Sequence, residues 1–200
     1  PAQSRKSYFF HLPLYDLPAR PKIVIQLWTG QRVVLSRSVT ANLLTDNELL
    51  YGVVSATPSD LAFLGTVAPA AGKAVAAQLD LASLSPSALS WEGLDVVVLN
   101  DVDTTVLSAE QRQALSTWVA HGGHLIVGGG AGAAHTAAGL GGLLPVSIDG
   151  MQSPGDLWAL GELIGASVAP GPYAVAGATL LDGEVLLEQE EVILIARRTV

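Results

Sequence analysis

The sequence predicts an α/β fold: a three-layer flavodoxin-like sandwich around a mainly parallel sheet, preceded by a small β-rich segment. Three observations lead there. The apolar runs at 49–54 and 96–99 are continuous rather than alternating, as expected of strands buried on both faces. They alternate with stretches of helical spacing, the strongest at 107–119. Before Glu48, in contrast, only hairpin signals occur and no helical period is present.

Taken in order, Tyr8-Phe9-Phe10-His11-Leu12 is rich in strand formers. Lys22–Trp28 and Arg32–Ser36 flank the turn Thr29-Gly30-Gln31 as a hairpin, and a third strand is expected at Ser38–Leu44. Strands follow at Leu49–Ser55, Lys73–Leu79 and Asp95–Asp101, with short helical turns at Pro58–Leu64 and Pro86–Leu89. Ser108 followed by Gln111 is a capping-box pattern. Leu107, Gln111, Ala114, Leu115, Trp118 and Val119 mark one face of the helix it opens, and Gly122-Gly123 closes that helix. His124–Gly128 is the next strand. A glycine-rich turn leads to a helical stretch toward Leu140, a further helix is expected at Pro154–Ile164, and residues 173–200 form strands with a turn at Asp182-Gly183. Crossovers at this spacing imply a parallel sheet. The change of pattern divides the chain into a β-rich segment, 1–46, and an α/β domain, 47–200.

Half of the residues are apolar and 14% are charged, a composition that builds a core and excludes general disorder. The net charge of −8, with ten basic residues, gives no phosphate-binding stripe, so nucleic acid is not an expected partner. The absence of cysteine removes disulfides, thiolate metal sites and thiol nucleophiles together. No apolar run reaches the ~20 residues of a membrane span. The chain opens on Pro1 and closes just after the apolar stretch 192–195, which leads to the expectation of a fragment truncated at its C-terminus, with membrane segments outside it.

The stretch from Trp91-Glu92-Gly93-Leu94-Asp95 through Asn100-Asp101, Ser108, Gln111 and Gly122-Gly123 to His124-Leu125-Ile126-Val127 resembles the class I glutamine amidotransferase-like domain of uncharacterised bacterial membrane-anchored proteins. The resemblance is most specific across 91–130 and extends over about 48–200. It implies that the β-rich start is the end of an immunoglobulin-like module, and that the parent protein lies on the extracytoplasmic side of a membrane; the alternative is a cytoplasmic protein. It also implies where a catalytic cysteine would stand. The turn Gly128-Gly129-Gly130-Ala131-Gly132 matches the nucleophile elbow, with glycine at the attacking position, Gly130. The His-x-Glu that activates the thiol in the enzymes is absent: after the elbow the only histidine is His135, followed by Thr136 and Ala137. The resemblance therefore implies a non-catalytic member with a vestigial elbow, no catalytic residues and no cofactor.

Two candidate sites remain. The loop 128–132 offers backbone N–H groups to an anion, or is simply a tight strand-to-helix turn. Asp101 and Asp103 sit at a strand C-terminus, where α/β sheets place ligands and hard cations find carboxylates, or else Asp103 orders the loop before Ser108. His121, His124 and His135 fall on opposite edges of the expected sheet and are not expected to form a metal site. No Gly-x-Ser-x-Gly elbow occurs. The four tryptophans, Trp28, Trp91, Trp118 and Trp158, read as core or core-edge residues. The expected function is a non-enzymatic binding or scaffolding module whose partner is another protein or a neighbouring domain of the same chain. The alternatives are a metal-dependent hydrolase around Asp101 and Asp103, or a small-anion sensor using the glycine loop.

Overall fold

The computed structural model describes residue 12 and residues 17–200; of the strand expected at Tyr8–Leu12, residues 8–11 lie outside the described residues. At the centre is a four-stranded, wholly parallel sheet made of β3 (Glu48–Ser55), β4 (Lys73–Gln78), β5 (Val96–Asn100) and β6 (His124–Val127), in the order β4-β3-β5-β6. Around it lie three separate two-stranded antiparallel sheets. They are β1 (Lys22–Thr29) with β2 (Arg32–Thr40), β7 (Val146–Gln152) with β8 (Val175–Leu180), and β9 (Glu184–Gln189) with β10 (Val192–Arg197).

This corrects the expected three-layer flavodoxin-like sandwich. The parallel order stops after four strands, and after β6 the chain turns to hairpins instead of further βα units. Helix is scarce as well. The crossover from β3 to β4 is a 3-10 helix, Pro58–Thr66, and that from β4 to β5 contains only short 3-10 turns. α1 (Ala109–Ala120) is the one long crossover helix among the described residues, while α2 (Ala133–Ala138) and α3 (Trp158–Ile164) span six and seven residues. Repeated Pro, Gly and Ser between 56 and 93 interrupt the helical ladder and leave no room for a full helical layer. None of the helices among the described residues is long and apolar enough to cross a membrane.

Period-two alternation sends the sheet's side chains into two cores. Val54, Val97 and Leu99 pack with Leu107, Leu115, Trp91 and Trp118 beneath α1. Tyr51, Val53, Val96 and Val98 pack with Leu64 of the 3-10 helix on the opposite face. α1 forms because Ser108 and Gln111 cap it reciprocally: Gln111 N–H donates to Ser108 Oγ at 3.2 Å, and Ser108 N–H donates to Gln111 Oε1 at 2.9 Å. It ends at Gly122, whose φ of +100° is open to glycine. Gly123 follows because a Cβ there would strike the Trp118 ring. Trp118 meets Trp91 with ring centroids 5.9 Å apart, and Trp91 Nε1 donates to Ser85 O at 3.0 Å. These two tryptophans are core residues; Trp28 and Trp158, expected in the same role, are exposed.

The third strand expected at Ser38–Leu44 is instead the end of β2, which runs to Thr40. β7 arises where no strand was expected.

Candidate functional site

The C-terminal edge of the parallel sheet gathers Ser55 from β3, Asn100 and Asp101 from β5, and the loop 128–132 leaving β6. Asn100 Nδ2 donates to Ser55 Oγ at 3.4 Å. Asp101 has a φ of +53°, a left-handed conformation rare for a residue with a side chain, and its Oδ1 lies 3.0 Å from His135 Nε2 on α2. Both side chains are about half exposed, so the pair is reachable from solvent. Asp103 does not join it. Its Oδ1 accepts from Thr105 N–H at 3.0 Å and Thr105 Oγ1 at 2.6 Å, as the N-cap of the 3-10 turn Thr104–Val106. The Thr105 hydroxyl, then the Thr105 amide, hold the Asp103 carboxyl below its ordinary value.

Beneath the pair is a buried hydroxyl network. Thr104 Oγ1 donates to Thr136 O at 2.9 Å and accepts from Gly139 N–H at 2.8 Å. Thr136 Oγ1 donates to Gly132 O at 3.0 Å and accepts from Val102 N–H at 3.0 Å. Both threonines are fully buried, so the loop after β5 is locked against α2 with these polar atoms satisfied.

The glycines of the loop 128–132 have distinct reasons. A Cβ on Gly128 would collide with the Asn100 side chain, and one on Gly132 with Asp101. Gly129 and Gly130 have open space around them, and no glycine of this loop has a positive φ. A nucleophile elbow is a strained turn; here the left-handed residue is Asp101, one strand away. Among the described residues no group of three or more His, Asp or Glu is arranged to hold a metal ion. His124 begins β6 and His121 caps the C-terminus of α1, both at the sheet edge away from His135.

A second concavity lies elsewhere, alongside β6. It is an apolar cleft of about 980 Å³ whose walls include Leu125, Val127, Leu144, Ile148, Ile193 and Ile195. His124 N–H donates to Asp95 O at 3.2 Å and Gly128 N–H to Leu99 O at 2.9 Å, both toward β5. The alternate residues Leu125, Val127 and Gly129 therefore turn their main-chain groups the other way. Gly129 O is met by Ala176 N–H at 2.7 Å, at the start of β8. Below that contact β6 and β8 part, and the edge at Leu125 and Val127 faces the cleft with no partner strand among the described residues. Sequence reasoning missed this cleft. Its one signal is that the four-residue strand His124–Val127 is followed by no further buried parallel run.

A solved structure, that of the cytoplasmic protein STM3548 from Salmonella typhimurium, resembles this chain with a TM-score of 0.50 at 14% identity, covering 89% of this chain and 79% of that one. At that identity the likeness concerns the fold alone. No curated protein matches the chain. The family described as Domain of unknown function (DUF7408) matches residues 70–199, from β4 to beyond β10. By that match the chain belongs to the DUF7408 family, a domain of unknown function.

Proposed function

We propose that the α/β part is a non-enzymatic binding module that holds an extended polypeptide segment along β6. The observation that carries this reading is the apolar cleft beside a strand edge left unpaired among the described residues. Main-chain groups at Leu125 and Val127 supply ladder hydrogen bonds, and the walls accept every second side chain of the incoming strand, the chemistry of strand addition. The vestigial elbow fits the same reading, since Gly130 has no side chain and the chain contains no cysteine. The amidotransferase-like resemblance supports the further reading that the domain is part of a larger membrane-tethered protein on the extracytoplasmic side, its partner being another protein or a neighbouring domain.

Displayed peptides of about eight residues, the length of one strand, selected on the immobilised protein test the cleft. The expected winners alternate apolar and polar residues, slow amide exchange at Leu125 and Val127, and lose affinity at least tenfold against Val127→Pro, which removes a donor without a strand partner among the described residues. Equal binding to Val127→Pro, or protection confined to other strands, refutes strand addition. The non-enzymatic half is tested separately: ammonia release from glutamine stays at the buffer control for the native chain and for Gly130→Cys, a replacement for which the turn has space.

A further inference from the structure

The ten basic residues are not spread evenly. Residues 17–45 hold Arg20, Lys22, Arg32 and Arg37 and no acidic residue, whereas residues 46–200 hold four cations against seventeen carboxylates, a net of −13. The basic stretch is the β1–β2 hairpin. Its register places Ile23 opposite Val39, Ile25 opposite Arg37, Leu27 opposite Leu35 and, beyond a bulge, Thr29 opposite Arg32. Strand alternation then puts Ile23, Ile25, Leu27, Leu35 and Val39 on one face together with Arg32 and Arg37. Ile25, Leu27, Leu35 and Val39 are all exposed; Trp28, opposite Val33, is exposed on the other face.

An isolated two-stranded ribbon is marginal in water, and a contiguous open apolar face marks an interaction surface. What covers this face must accept aliphatic side chains and two guanidinium groups on one plane. A protein core would have to bury a carboxylate against each arginine, with a desolvation cost that often exceeds the gain. A second copy stacked face to face would oppose arginine to arginine. A lipid surface bearing negative headgroups answers both demands, because the aliphatic groups enter the acyl boundary while the arginine stems reach back to phosphate. We propose that the β1–β2 hairpin lies flat on an anionic lipid surface through Ile23, Ile25, Leu27, Leu35 and Val39, with Arg32 and Arg37 on lipid phosphates. The acidic α/β part is repelled by the same surface, so the hairpin alone makes the contact.

The test uses the full 200-residue chain and vesicles of phosphatidylcholine with or without about 30% phosphatidylglycerol. Cosedimentation is expected only with the anionic vesicles, and weakens steeply between about 0.05 and 0.5 M salt. A cation near such a surface strengthens binding about fivefold, so losing two lowers it about 25-fold, and the reversal Arg32→Glu/Arg37→Glu lowers it further. Leu27→Asn/Leu35→Asn weakens binding yet leaves the salt dependence. Amide exchange along β1 and β2 confirms that each variant keeps the hairpin. Equal binding to both kinds of vesicle, undiminished binding of the charge-reversed variant, or no binding at the lower salt overturns the proposal. So does a stable dimer of the free chain that buries Leu27 and Leu35 and does not dissociate on vesicles.

Discussion

Replacing Thr104 with valine isolates the hydroxyl that locks the loop after β5 onto α2. Valine has nearly the same shape, so packing around this fully buried side chain is kept while one O–H is lost. That O–H donates to Thr136 O at 2.9 Å and accepts from Gly139 N–H at 2.8 Å. Water has no room to replace it, because Gly139 packs directly on the Thr104 main chain, where even a Cβ would collide. Gly139 N–H keeps Ala137 O as a second acceptor, so Thr136 O is the group left unsatisfied, at a cost of about 1–3 kcal/mol. At roughly 2–4 °C per kcal/mol for a chain of this size, the melting temperature falls by about 2–12 °C. Urea unfolding measures the free energy directly, with the slope m expected to stay unchanged. Thr105→Val is the control: Thr105 is exposed and bonds only Asp103, so its loss costs at most about 1 kcal/mol. If Thr104→Val and Thr105→Val destabilise equally, or Thr104→Val by less than about 0.5 kcal/mol, the buried network does not anchor this edge.

The glycines of the loop 128–132 should respond with opposite signs. Gly130→Ala, in open space at ordinary φ, stabilises by about 0.4–1 kcal/mol, whereas Gly132→Ala collides with Asp101 and destabilises by about 1–3 kcal/mol; paired denaturant melts read both. The turn between β9 and β10 is made by Glu190 and Glu191 at φ of +50° and +67°, and replacing them with Asn-Gly should add about 1 kcal/mol, seen as a rise of about 2–4 °C in melting temperature. Glu48, Asp103 and Glu110 are each held below their ordinary values, by the Thr45 amide, the Thr105 hydroxyl and the Glu110 amide respectively. Depressed folded-state values stabilise the protein above the unfolded values of 4.5, 3.8 and 4.5, and that contribution is lost as pH falls through the folded ones. Melting temperature should therefore hold between neutrality and about pH 5 and drop below about pH 4, less steeply in Asp103→Asn.

What the sequence made legible was whatever depends on local chemistry. The Ser108–Gln111 capping box, the Gly122 stop and the strand Val96–Asn100 are each set by residues within a few positions of one another, and each is present. The hairpin around Gly30 was legible for the same reason. The sheet's extent was not, because it depends on which strands meet. β6 reads as an interior strand, yet its far side meets β8 only at Gly129–Ala176. β7 escaped notice because Asp149 and Gly150 interrupt its apolar pattern, although Asp149 Oδ2 accepts from Thr179 Oγ1 of β8 at 2.5 Å and so fits an exposed hairpin. The Glu190-Glu191 turn was invisible because glutamate carries no turn preference; the pairing of Gln189 with Val192 imposes it.

The same distinction governs the site. Asp101 was legible as a candidate from its place at a strand end, but its partner was not: His135 lies 34 positions away on a helix whose docking is decided by Thr104 and Thr136. Once docked, that helix accounts for the glycines that sequence alone read as a remnant of chemistry. Gly132 leaves space for the Asp101 side chain and Gly128 for that of Asn100, so two of the four glycines answer to neighbours on β5 rather than to a bound ligand. Gly129 contributes a carbonyl to Ala176, and only Gly130 is free of both demands. A loop this committed to its own packing is poorly suited to close around a substrate, since opening it would break the Thr104–Thr136 network beneath. The cleft beside β6 carries no such commitment. Its main-chain groups at Leu125 and Val127 are already turned outward, and filling it requires no bond of the fold to be given up.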